Sequence, residues 1–241
     1  MNAKELYLQK NGFEAIRLKA VLFDMDGVLF DSMKKHSECW YKAMTHYGFQ
    51  FSRSEAYLHE GRTGAGTINI ISQRQRGCDA TPEEIKEIYQ YKSDLFNAMD
   101  EAEPMPGAAQ VLQKVMASGL TPILVTGSAQ ESLLNRLNRH YPSVFVPERM
   151  VTASDVKYGK PNPEPYIMGL GKGNLKPWEA IVIENAPLGV QASSAANIFT
   201  VAVNTGPLDN QVLMDAGANL LLGSMQELAD RWEELYAFLV G

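Results

Sequence analysis

The chain has 241 residues, 45% of them hydrophobic and 21% charged, with a net charge of −6 at pH 7. That length suits one large domain or one domain carrying an insertion, and the composition is ordinary for a globular protein. The acidic balance disfavours nucleic acid and anionic membrane surfaces as partners, and no apolar run reaches the roughly 18 residues a membrane span needs.

Residues 1–18 mix Lys4, Glu5, Lys10, Glu14 and Arg17 with apolar residues and lack the apolar core of an export signal, so we expect an N-terminal extension, folded as a short helix on the domain. The first strand is predicted at Ala20–Phe23, an apolar run that ends directly in Asp24, Met25, Asp26 and Gly27. Two acids at the C-terminal end of a buried strand stand where open α/β sheets bind ligands. Their burial costs several kcal/mol unless a partner such as a divalent cation compensates. From about Ser32 to Met99 there is helical periodicity and no convincing strand. His36–Tyr47 and Pro82–Met99 are the clearest helices, the second opened by Thr81, Pro82 and Glu84 as cap, first position and capping-box partner. An all-helical insertion over 32–104 is therefore expected, closed by the stiff Glu103-Pro104-Met105-Pro106-Gly107 linker.

Beyond it, strands are predicted at Pro122–Val125, Met150–Ala153, Ala180–Ile183, Thr200–Val203 and Asn219–Leu222. The helices predicted between and after them are Ala108–Ser118, Gln130–His140, Glu164–Gly169, Gly189–Ala196 and Met225–Leu239. Alternation of this kind gives a doubly wound parallel sheet, so the fold class is α/β with a core formed by 19–31 and 105–241. Polar groups gather at further strand ends. Thr126-Gly127-Ser128 precedes a predicted helix N-terminus, a natural anion site. Lys160 sits in the proline-stiffened Tyr158–Pro165 loop, and Glu184-Asn185 ends another buried strand as a pair of oxygen donors. No dinucleotide-binding glycine pattern follows a strand, and Gly127-Ser128-Ala129 lacks the serine-hydrolase elbow. A non-catalytic small-molecule binder would be expected to lack Asp24 or Asp26; both are present.

These four motifs, in this order and with a helical insertion after the first, resemble the haloacid dehalogenase superfamily of phosphoryl-transfer enzymes. The subgroup resembled has its cap after the first motif and includes β-phosphoglucomutase and many sugar phosphatases. The resemblance covers roughly Leu18 to Gly241. It implies Asp24 as nucleophile through an aspartyl phosphate and Asp26 as general acid and base. Thr126, Gly127 and Ser128 become phosphoryl-oxygen ligands, and Lys160 the neutralising cation. Mg²⁺ is implied as cofactor, held by Asp24, Asp26, Glu184 and Asn185. Asp31 and Ser32 fall at the hinge into the cap. His36 matches a histidine near the catalytic acid of the mutase, and Lys92 falls near its partner lysine.

Two departures matter. Many relatives have Glu-Asp where this chain has Glu184-Asn185, which removes one negative charge. The mutase's Lys-Gly-x-x-Arg loop for the second phosphate is here Glu60-Gly61-Arg62-Thr63-Gly64, with Glu60 at the lysine position and Arg62 two residues before the arginine position. Glu60 would repel a nearby phosphate, or add an oxygen ligand to the metal when the cap closes. The expected function is therefore hydrolysis of a small phosphorylated metabolite, inorganic pyrophosphate among them, with β-phosphoglucomutase activity as the alternative. The enzyme is expected to be cytoplasmic, because Cys39 and Cys78 lack metal-ligand spacing and read as free thiols; it is also expected to be a monomer. Trp40, Tyr41, Tyr89 and Tyr91 are expected as cap core, and His46, His59 and His140 are given no site role.

Overall fold

The structure is a computed structural model that describes residues 1–128 and 133–241. Six strands form one parallel sheet: β1 (Ala20–Phe23), β2 (Thr121–Val125), β3 (Met150–Val151), β4 (Ala180–Glu184), β5 (Phe199–Val203) and β6 (Leu220–Leu222). Their order is β3-β2-β1-β4-β5-β6. The winding reverses between β1 and β4, which is the topological switch point where such sheets take ligands. Asp24 and Asp26 follow β1 and Glu184 ends β4, so the sequence-predicted acids flank that crevice.

The helices are α1 (Ala3–Asn11), α2 (Met33–His46), α3 (Arg53–Leu58), α4 (Gly64–Arg76), α5 (Pro82–Asn97), α6 (Ala108–Ala117), α7 (Leu133–His140), α8 (Glu164–Lys172), α9 (Pro187–Ala195), α10 (Asn210–Asp215), α11 (Met225–Asp230) and α12 (Trp232–Val240). Helices α2 to α5 all lie between β1 and β2 in the chain and form a lobe with its own apolar cluster, including Met44, Phe49, Ile68, Ile71 and Ile88. The Thr81 and Glu84 capping box opens α5 as expected.

The residues of β1, β3, β4 and β5 are buried, as a parallel sheet between two helix layers requires. Val21, Phe23, Leu124, Ile181 and Val201 pack with Val111, Val115, Trp232 and Leu235 on one side. Leu22, Ile123, Val125 and Val182 pack with Tyr166, Leu170 and Ala192 on the other. Helix α1 docks on the first layer: Tyr7 is buried and its hydroxyl donates to the Asn197 carbonyl at 2.9 Å.

Three sequence expectations need correction. Met225–Leu239 is not one helix but two, broken at Arg231. The break seats Trp232 in the core, with its indole N–H donating to Ser118 Oγ at 3.1 Å. The strand expected over Met150–Ala153 stops at Val151, and the Ala153 amide instead donates to the Ser128 carbonyl at 3.1 Å. Helix α8 continues past Gly169 to Lys172; Gly169 is there a close-packing position against Leu22 and Val125, not a helix end. In the predicted Gln130–His140 helix, Gln130 to Ser132 lie outside the described residues.

Candidate active site

Asp24 leaves β1 with its amide donating to the Ile183 carbonyl at 3.1 Å, which ties it to the end of β4. The chain then turns at once: the Met25 carbonyl accepts from the Leu29 and Phe30 amides, and the Gly27 amide donates to the Phe30 carbonyl. Gly27 has φ +82°, and a Cβ there would stand 2.1 Å from Asn185 Nδ2. Only glycine combines that backbone with such an approach.

Lys160 is 1% exposed. Its ammonium donates to Asp24 Oδ1 at 2.5 Å, Glu184 Oε1 at 2.6 Å and the Val125 carbonyl at 3.2 Å, so its three protons are placed. Burial alone would lower its pKa; the Asp24 and Glu184 carboxylates outweigh that and keep it charged. Glu184 is also fully engaged. Oε1 accepts from Lys160 and from the Tyr166 hydroxyl at 2.8 Å, and Oε2 from the Asn185 and Ala186 amides at 2.9 and 3.0 Å. A carboxylate has about four lone-pair sites, and all are used. Glu184, expected as a metal ligand, anchors Lys160 in this structure.

Asp26 accepts from Ser32 Oγ at 2.5 Å and lies 3.3 Å from His36 Nε2. The other ring nitrogen, Nδ1, is 2.9 Å from Lys92 Nζ, and the ring stacks on Phe96 at 4.2 Å. Burial and the Lys92 ammonium hold the imidazole below its ordinary pKa. The neutral ring then accepts from Lys92 at Nδ1 and donates from Nε2 to Asp26. Burial would raise Asp26; His36, then Arg136 and Ser32, reverse this and hold it well below the usual carboxylate range. Lys92, itself buried, is pushed down to about 8, with Asp26 opposing.

The lobe contributes Glu60. It is 8% exposed, and Asn185 Nδ2 donates to Glu60 Oε1 at 2.7 Å. Burial, with Asp24, Glu184 and Asp26 close by, pushes its carboxyl well above the ordinary value, against the pull of Asn185. Burial likewise pushes Asp24 up to about 8, with Lys160 opposing and Glu184 and Asp26 adding to it. Asp24, Asp26, Glu60 and Glu184 thus lie close together, with Lys160 paired to Asp24 and Glu184 and Lys92 reaching Asp26 through His36. The Asn185 Oδ1 atom is buried and has no hydrogen-bond partner among the described residues. An unpaired hard oxygen among excess carboxylates fits a divalent cation, and Mg²⁺ needs only one or two protein carboxylates when substrate oxygens complete its shell. No group of three or more His, Cys, Asp or Glu side chains placed to hold a metal ion occurs among the described residues.

Asp24, Asp26, His36, Glu60, Lys92, Gly127 and Ser128 line a cavity of about 70 Å³; Lys160, Glu184 and Asn185 are not part of its lining. Arg62 lines it too, and burial lowers its guanidinium pKa. Thr126, expected among the substrate ligands, does not reach this cavity. Its hydroxyl turns back to accept from the Ser128 amide at 3.1 Å and braces the turn. His59, given no role from sequence, lines the cavity, as do Trp40 and Tyr89, expected only as core. Tyr41 instead lies under the Arg53 guanidinium at 3.9 Å. Tyr166 and Arg136 were not found by sequence reading. Arg136 is buried against the Phe30 ring at 4.7 Å and Met25 Sδ at 3.5 Å, with nothing in its spacing to signal it.

Comparison with known proteins accords with this geometry. Residues 21–203 match the family model of the haloacid dehalogenase-like hydrolases. The chain belongs to that family. A solved structure from Bacteroides vulgatus, provisionally assigned as a beta-phosphoglucomutase, is 61% identical, with a TM-score of 0.96 over 98% of this chain and 96% of that one. Hexitol phosphatase A of Escherichia coli (strain K12) is 28% identical over 88% of this chain and 94% of its own length. The phosphorylated carbohydrates phosphatase of Thermotoga maritima is 28% identical over 85% and 94%. The haloacid dehalogenase-like chain described here is an enzyme of the phosphatase or phosphoglucomutase-like kind.

Proposed function

We propose that this enzyme hydrolyses small, highly charged phosphate compounds, inorganic pyrophosphate first among them, through an aspartyl phosphate on Asp24. The observation that carries this reading is Glu60, a lobe acid buried against Asn185, where it narrows the site and sets one more oxygen donor beside Asn185. A water position takes about 10–15 Å³ of such volume. A cavity of about 70 Å³ therefore holds roughly five to seven water-sized groups. That space is enough for a phosphoryl group with a small leaving group.

In this mechanism one Asp24 oxygen attacks phosphorus as the bond to the leaving oxygen breaks. Lys160 steadies Asp24 and offsets charge on the transferring group, while Gly127, Ser128 and the turn at Met25 hold its oxygens. Asp26 then takes a proton from water, whose oxygen attacks phosphorus and releases Asp24. An ionised Asp26 is in the form that the second half requires. It is a poor proton donor in the first half, and a phosphate leaving group needs less proton help than a sugar alkoxide. His36 and Lys92 keep Asp26 ionised and oriented. Mg²⁺, the cofactor we assign, would be held by Asp24, the Asp26 backbone carbonyl and Asn185 Oδ1, with Glu60 at its side, and would supply electrostatic stabilisation of phosphoryl charge.

All these residues come from one chain, so a monomer suffices. Cys39 and Cys78 are free thiols, which suits a reducing cytoplasm, and no helix among the described residues is long and apolar enough to cross a membrane. A second reading, hydrolysis or mutase chemistry on a sugar phosphate, is favoured by the names of the relatives and by the Lys92–His36 pair set on Asp26. A panel of pyrophosphate, hexose phosphates and β-glucose 1-phosphate assayed with Mg²⁺ separates the two. The first reading expects the highest kcat/KM for pyrophosphate; a higher value for any sugar phosphate supports the second.

A further inference from the structure

Two glycines of the sheet domain receive one short piece of the lobe. A Cβ at Gly127, after β2, would stand 2.9 Å from the Gly61 carbonyl oxygen. A Cβ at Gly159, in the loop before Lys160, would stand 2.7 Å from Thr63 Cγ2 and 3.3 Å from the Thr63 amide nitrogen. Neither glycine has a positive φ. What they supply is the absence of a side chain, not an unusual backbone. Residues 61–63 directly follow Glu60, so the depth to which this piece settles fixes where Glu60 meets Asn185. Gly127 faces the phosphoryl site and has a second duty there. Gly159 lies against Thr63 behind that site, and no step of the reaction uses it.

We propose that Gly159 is a specificity-determining residue: by leaving space for the Thr63 methyl it sets how far the lobe closes, and so how large a leaving group the closed site holds. Contacts under 3.0 Å cannot persist, and the Thr63 amide nitrogen is also at 3.3 Å and Thr63 Oγ1 held as the α4 cap, so on this proposal a methyl group at position 159 displaces residues 61–63 outward. A hydrogen bond of 2.7 Å between Asn185 and Glu60 has only a few tenths of an ångström before it weakens. Outward movement loosens that contact and enlarges the cavity together. The inference rests on the active-site assignment above, but not on which small phosphate is the natural substrate.

The Thr63 methyl offers a size rescue. Thr63 Oγ1 caps α4 by accepting from the Gly66 amide at 3.2 Å. Thr63→Ser keeps that cap and deletes Cγ2, the atom that a new Cβ would meet. Gly159→Ala, Thr63→Ser and the double variant are compared with wild type on pyrophosphate, acetyl phosphate and glucose 6-phosphate, with amide hydrogen exchange over residues 59–64. Misplacement by about 1 Å costs up to 10²-fold. Gly159→Ala is therefore expected to lose about tenfold in kcat on the small substrates and to shift the small-to-hexose ratio of kcat/KM by about tenfold toward hexose. Exchange over 59–64 should rise. The double variant should recover most of both effects. Unchanged ratio and exchange in Gly159→Ala, or a double variant no better than the single, would overturn the proposal. A wild type that is slow on pyrophosphate but shows the same shift on acetyl phosphate defeats the substrate assignment alone and supports the role of Gly159.

Discussion

Asn185 and Glu60 are 125 positions apart and belong to different lobes, yet the Asn185 amide nitrogen donates to Glu60 Oε1 at 2.7 Å. An aspartate at position 185 would set a second acid against Glu60 and remove the amide donor. The amide instead offers a donor to Glu60 while keeping Oδ1 for a cation, so the two departures from the family pattern are complementary in charge.

Asp24→Asn is expected to abolish turnover and leave the fold intact. An amide of the same volume cannot attack phosphorus. Circular dichroism should match wild type while phosphate release falls to background. Near-normal turnover would remove Asp24 from the mechanism.

Mg²⁺ should stabilise the folded chain. At 100 times its Kd a ligand of the native state adds about 2.7 kcal/mol, about 5–11 °C in Tm for a protein of this size. Asn185→Ala should lose most of this response. A full response in that variant would place the cation away from Asn185.

The legible part of the fold was the apolar strand runs and the acids at their ends. Ala20–Phe23 is a strand with the predicted bounds because four buried apolar residues meet two carboxylates that cannot continue into the core. The break at Arg231 was hidden because Met225–Leu239 is helical in composition throughout, and only the seating of Trp232 against Ser118 interrupts it. At the site, residue types were legible and orientations were not. Glu184 reads as a metal ligand beside Asn185, but Tyr166, from a helix whose spacing gives no sign of it, completes a set of donors that occupies both its oxygens.

Tyr166→Phe is expected to cost about 1.5–3 kcal/mol, the usual worth of a hydrogen bond to a charged group. Denaturant unfolding measures it. Loss of one donor also frees Glu184 to compete with Asp24 for Lys160, so kcat should fall without a matching change in KM. A variant as stable and active as wild type would make the Tyr166 contact incidental.

Lys92 carries a pH signature. Its pKa falls from an ordinary 10.5 to about 8 on folding, so between those values the unfolded chain binds more protons than the native one. Stability should therefore rise with pH in this window by up to about 1.4 kcal/mol per unit from this group. Lys92→Met should lack that rise, and the difference in unfolding free energy between the two proteins at pH 7.5 and 9.5 reads it directly. Equal pH dependence in both would show that Lys92 is not charged and buried as the geometry has it.

In the proposed reaction a lobe acid, Glu60, seated on the core amide of Asn185, selects a small phosphate substrate. Glu60→Lys tests it most directly, through kcat/KM for pyrophosphate and for glucose 6-phosphate measured side by side with Mg²⁺. The expected result is a loss of about 10²-fold or more on pyrophosphate, with the hexose phosphate comparatively spared because a larger substrate holds the lobe partly open. A change of less than about threefold on both substrates, under about 0.7 kcal/mol, would contradict the claim and make Glu60 a bystander.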